Sequence, residues 1–71
     1  MEYIGFEDSK NLKFALYDSN SDKLYMYFRK PSLYVYEDFT KENFEMFKSS
    51  EEKGKYFYDN IRNKHNYKLI Y

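Results

Sequence analysis

No cysteine and no tryptophan occur in the 71 residues, and there is one histidine, one proline and a pair of glycines. Without cysteine no disulfide staples the fold, and no thiolate is available as nucleophile or metal ligand. His65 has no second histidine at metal-ligand spacing, which argues against a bound metal. Two isolated glycines make no phosphate-cradling loop. The longest apolar run, Leu24 to Phe28, is far too short to span a membrane. The opening "MEYIGFEDSK" is acidic and has no signal-peptide apolar core. These absences lead to the expectation of a soluble, cytoplasmic protein that binds no cofactor, metal or membrane and carries no catalytic constellation. Paired acids such as Glu51 with Glu52 or Glu37 with Asp38 are unremarkable where 34% of residues are charged.

Net charge is missing too, with 12 basic residues against 12 acidic. The bulk positive field of a dedicated nucleic-acid binder is therefore absent. The charges are segregated, however. Residues 1–9 sum to −3, 10–36 to +3, 37–52 to −4 and 53–71 to +4. The plainer meaning is charged helix faces turned to water. The sharper one is a basic patch of Lys53, Lys55, Arg62, Lys64 and Lys68.

What is abundant is aromatic, with 10 Tyr and 7 Phe. A domain this small buries only about 60% of the surface its unfolded chain exposes. Large rings, each able to bury roughly 150 to 250 Å², compensate for the missing staples. No linker, repeat or low-complexity tract divides the chain, so residues 1–71 read as one domain.

Leu12, Phe14 and Leu16 alternate with Lys13, Ala15 and Tyr17, the period of a half-buried strand. "YDSNSDK" supplies a polar turn. Leu24, Met26 and Phe28 then alternate with Tyr25, Tyr27 and Arg29. The two runs predict a hairpin with Tyr17, Tyr25 and Tyr27 opposite the apolar set. Lys30, Pro31 and Ser32 end the second strand, and "SLYVYE" begins a third. Thr40 is a suitable helix N-cap, with Phe39 and Phe44 at hydrophobic-staple spacing. Ser49 and Glu52 have capping-box spacing for a second helix, on which Phe57 and Ile61 share a face. Gly54, in that helix's first turns, calls for close packing or a bend to offset its penalty of about 1 kcal/mol. "YKLIY" at 67–71 suits a short strand or a packed tail. The expected fold is α+β: an antiparallel meander of about three strands against two short C-terminal helices.

The order "KLYMYF", a Tyr-x-Tyr strand, a short helix, then "KGKYFYDNIR" and "NY" resembles the KTSC family. These are small domains found alone in bacteria and phages and at the C-terminus of some lysyl-tRNA synthetases. The family's Tyr-x-Tyr falls on Tyr34 and Tyr36. Its second signature falls on Gly54, Lys55, Tyr56, Phe57, Tyr58, Ile61 and Arg62. The chain departs from the common pattern at Pro31, Ser32, Glu52, Tyr58 and His65. The resemblance implies an RNA-associated, non-enzymatic binding domain. It also implies that the two signature tyrosines are structural and face the helices, with Gly54, Tyr56, Phe57 and Ile61 structural as well. Alternation alone leaves Leu33 and Val35 as the buried pair.

Two candidate nucleic-acid surfaces follow: the basic patch, and an aromatic platform of Tyr25 and Tyr27 beside Arg29. His65 is expected at a helix end, where a positive charge suits the carbonyl dipole. The alternative function is a protein-interaction module, such as a phage or mobile-element inhibitor docking on a larger nucleic-acid-processing enzyme. The acidic segment Glu37–Glu52 suits that role. A monomer or weak homodimer is expected, since exposed tyrosines on an edge strand can pair copies.

Overall fold

The computed structural model describes residues 1–7 and 9–71. Five strands form one antiparallel sheet in chain order: β1 (Glu2–Gly5), β2 (Leu12–Asp18), β3 (Lys23–Phe28), β4 (Ser32–Tyr36) and β5 (Tyr67–Leu69). Between β4 and β5 lie α1 (Lys41–Ser49), α2 (Lys53–Tyr56) and a π turn (Phe57–Ile61). The class is α+β, as expected, but with five strands rather than about three. The helices are inserted before the last strand instead of ending the chain. Among the described residues no helix is long and apolar enough to cross a membrane.

Cross-strand partners share a face of the sheet. One row runs Tyr17, Leu24, Tyr36, Tyr67 and the next Ile4, Ala15, Met26, Tyr34, Leu69. These rows turn toward the helices, and Ile4, Ala15, Tyr17, Leu24, Met26 and Tyr36 form one core with Phe39, Phe44, Phe47, Phe57 and Ile61. Tyr17 is 1% exposed and stacks on Phe44 at 4.6 Å between ring centres. It therefore belongs to the core and not to an outer tyrosine face.

The reason is a β-bulge. Leu12 pairs with Phe28 but Phe14 pairs with Tyr27, so one extra residue is taken up on β2. A bulge of this kind swaps the faces on its two sides. Leu12 is buried inward while Phe14 turns outward, where it stacks on Tyr3 at 5.7 Å and on Tyr27 at 4.3 Å. Ala15 and Tyr17, not Phe14 and Leu16, face the core.

Helix α1 begins as its sequence asks. Thr40 Oγ1 accepts a hydrogen bond from the Asn43 N–H at 3.1 Å, and Phe39 and Phe44 are both fully buried. Its other end corrects the capping expectation: Ser49 closes α1, and its hydroxyl donates back to the Glu45 carbonyl at 2.8 Å. Glu52 is the N-cap of α2, without a side-chain capping bond. Asp22 and Asp38 sit at φ of 52° and 55°, a left-handed conformation that Asp tolerates better than most residues. The Asp22 carbonyl accepts from the Phe39 N–H at 2.9 Å, tying the β2–β3 turn to the start of α1.

Candidate functional site

At the seam between sheet and helices a cleft of about 550 Å³ opens beside β4. Its floor consists of Phe28, Tyr34, Tyr36 and Phe57, and its walls carry Tyr58 and Tyr67. The size is within the range of small-ligand pockets, roughly 300 to 1,000 Å³. Lys10, Lys30 and Arg62 line it, with Asn11, Ser32 and Asn63, and among the described residues no carboxylate lines it.

Each ring is held by others. Tyr36 meets Phe57 edge-on at 5.6 Å and 87°, and Tyr34 meets Phe28 edge-on at 5.3 Å. Tyr67 lies 5.5 Å from both Tyr34 and Tyr36, bridging them from β5. The signature tyrosines thus face the helices, as the resemblance implied. Leu33 and Val35 are on the other face, yet also buried.

Tyr36 is 2% exposed, but its hydroxyl forms no hydrogen bond with any described residue and opens on the cleft. Burial, reinforced by the neighbouring Tyr67 and Tyr34, pushes this phenol up to about 12. Tyr17 is raised as well, by burial first and then by Asp22. Its situation differs, because its hydroxyl donates to the Phe39 carbonyl at 2.9 Å and reaches Asp22 Oδ1 at 3.3 Å.

The π turn aims the helical wall. The Arg62 N–H bonds the Phe57 carbonyl at 2.9 Å, five residues back, in place of the α-helical four. Such turns recur at functional sites. The Arg62 guanidinium lies over the Tyr58 ring at 5.4 Å, so Tyr58, one of the departures from the family pattern, is a cleft residue.

The residues expected to form a basic patch have separate engagements. Of that set only Arg62 lines the cleft. Lys55 pairs with Asp59 at 3.1 Å and Lys68 with Glu37 at 3.9 Å. Lys53 Nζ donates to the Ser50 carbonyl at 3.0 Å, and Lys64 is exposed beyond the π turn. Arg29 does not flank a platform: its guanidinium donates to the Ser9 and Phe6 carbonyls at 2.8 and 2.9 Å, fastening the β1–β2 connection. Tyr25 and Tyr27 do lie opposite the core, on an outer sheet face with Tyr3, Phe14 and Leu16 that no helix covers. His65 packs edge-on against Phe39 at 5.0 Å, and its N–H bonds the Ile61 carbonyl at the helix end.

Lys10, Asn11, Lys30, Ser32 and Asn63 escaped the sequence reading. They come from separate connections, and the only signal was the placing of Lys30 and Ser32 around Pro31. Among the described residues no group of three or more His, Cys, Asp or Glu is placed to hold a metal ion.

A helical layer on one face of an antiparallel meander, with an aromatic cleft along their seam, defines a small two-layer α+β domain. The chain belongs to the KTSC domain family, whose sequence pattern matches residues 8–67. No curated protein matches it.

Proposed function

We propose that this domain binds single-stranded RNA without acting on it, and that the seam cleft takes an unpaired nucleotide. The observation that carries the reading is the lining itself: among the described residues, three cations, six aromatic rings and no carboxylate. Stacking on aromatic side chains contributes about 1 to 3 kcal/mol per base, and cations beside the rings engage phosphates. Among the described residues no histidine, cysteine or carboxylate lines the cleft to serve as a general base, which favours binding over catalysis.

Fluorescence anisotropy with a labelled single-stranded oligonucleotide tests it. Affinity should fall with salt at a log–log slope of about −1.4 to −2, for two to three phosphates neutralised by the three cations. Arg62→Ala should weaken binding, whereas Lys55→Ala, whose ammonium pairs with Asp59, should not. Absent or salt-independent binding overturns the proposal.

A second reading is favoured by the outer sheet face, where Tyr3 is 62% exposed and Phe14, Leu16, Tyr25 and Tyr27 adjoin it uncovered by any helix. In it the domain docks through this face on a larger nucleic-acid-processing protein. That partner would respond to Tyr27→Ser and ignore Arg62→Ala, the reverse of the RNA pattern.

A further inference from the structure

The cations of the cleft come from opposite ends of its floor. Lys10 and Asn11 close the β1–β2 connection, Lys30 lies in the β3–β4 turn and Ser32 opens β4. Leu12 pairs with Phe28 and Phe28 with Ser32, so both connections lie at one end of the sheet. Tyr36, four residues along β4 from Ser32, is about 13 Å away at strand rise. It pairs with Tyr67 and meets Phe57 edge-on at 5.6 Å, and Phe57 in turn meets Tyr58, over whose ring the Arg62 guanidinium lies. Arg62 therefore occupies the far end. Between the two ends the floor is ring surface, with no cation of its own.

A terminal phosphate or free nucleotide calls for one cationic pole. A nucleotide inside a strand has a phosphate on each side of its sugar, and two separated poles fit that pattern. The Tyr36 hydroxyl, which bonds no described residue and is open to the cleft, offers a polar contact between them that a base edge can take. Given the RNA-binding reading, on which this step rests, we infer that the cleft holds an internal nucleotide. Its base lies on the Tyr34–Tyr36 floor, one flanking phosphate at Lys10 and Lys30, the other at Arg62.

The test displaces a labelled oligouridylate with small competitors: uridine 3′,5′-bisphosphate, uridine 5′-monophosphate and uridine 3′-monophosphate. The bisphosphate should compete about tenfold better than either monophosphate, the scale of one charge-assisted contact. Arg62→Ala should abolish the advantage of one phosphate, and the double change Lys10→Ala with Lys30→Ala that of the other. All three side chains are exposed, so far-UV circular dichroism should be unchanged. A monophosphate equal to the bisphosphate, or loss of the same phosphate in both variants, overturns the internal-nucleotide assignment while leaving RNA binding standing. No binding of the oligouridylate or of a mixed-sequence single strand overturns both. Competition by a phosphotyrosine peptide as strong as that of the bisphosphate also overturns the assignment, since it makes the poles a phosphopeptide site.

Discussion

Deleting the same atom from two buried tyrosines should have opposite consequences. In Tyr17→Phe the lost hydroxyl is the donor to the Phe39 carbonyl at 2.9 Å, a buried bond joining β2 to the entrance of α1. An acceptor left buried without its donor costs about 1 to 3 kcal/mol. In Tyr36→Phe the ring keeps its edge contact with Phe57 and its neighbour Tyr67, and no described partner is lost. The cost should stay within the surface-substitution range of about 0.5 kcal/mol. For 71 residues, at roughly 0.05 to 0.15 kcal/mol each, the total stability is about 4 to 11 kcal/mol. Tyr17→Phe thus removes a visible share. Urea unfolding followed by far-UV circular dichroism resolves the pair: with m of about 1 kcal/mol/M, Tyr17→Phe lowers the midpoint by about 1 to 3 M and Tyr36→Phe by less than about 0.5 M. RNA affinity should show the reverse order, with Tyr36→Phe weakening it about two- to tenfold, the worth of one net hydrogen bond. Tyr36→Ala, which removes the ring, should cost about 3 to 5 kcal/mol. Equal losses of stability in the two Phe variants would refute the assignment of the Tyr36 hydroxyl to the cleft.

Gly54→Ala should be neutral or raise stability by up to about 1 kcal/mol in the same urea assay, because among the described residues a methyl there meets only Leu12 Cδ1, at 4.0 Å, and no positive φ is involved. Thr40→Ala should cost about 1 kcal/mol by thermal or urea unfolding, since it removes the Oγ1 acceptor of α1. Tyr36 and Tyr17 both hold their protons more tightly folded than unfolded, so the stability they contribute is complete below about pH 10 and is lost at higher pH, for Tyr36 as pH rises through about 12. Phenolate absorbance at 295 nm should therefore show a late component coincident with alkaline unfolding and reduced in Tyr36→Phe.

The legible parts of the fold were those in which local chemistry and tertiary packing agree. Thr40 caps α1, Phe39 and Phe44 are buried around it, and the meander of β2, β3 and β4 follows from alternation and turn chemistry. The bulge after Leu12 broke that agreement: an alternating run has no mark for an inserted residue, so Phe14 and Leu16 looked inward and Tyr17 outward. Strand β1 is too short to show a period in "EYIG", and it forms only because β2 supplies its hydrogen bonds. Ser49 has the residue type of an N-cap but spends its hydroxyl on the preceding turn. The π turn lacks Gly or Pro to announce it. The cleft was half visible: its rings belong to the signatures, while Lys10 and Lys30 reach it from turns that only the strand pairing brings together.

Why the floor position is tyrosine can be settled by asking what each part of the side chain meets. The core requires ring volume at 36, and phenylalanine would meet Phe57 edge-on as well as tyrosine does. At position 17 the hydroxyl has a structural reason, because the Phe39 carbonyl needs a donor. At position 36 no such reason exists within the described chain, and the hydroxyl, which is not sealed in the core, can take its partner from water or from a ligand in the cleft. In a domain with so little interior, the same side chain serves both purposes: the ring closes the core under α2 and the π turn, and the oxygen is left at the cleft. Tyr36→Phe separates the two roles by removing only one of them.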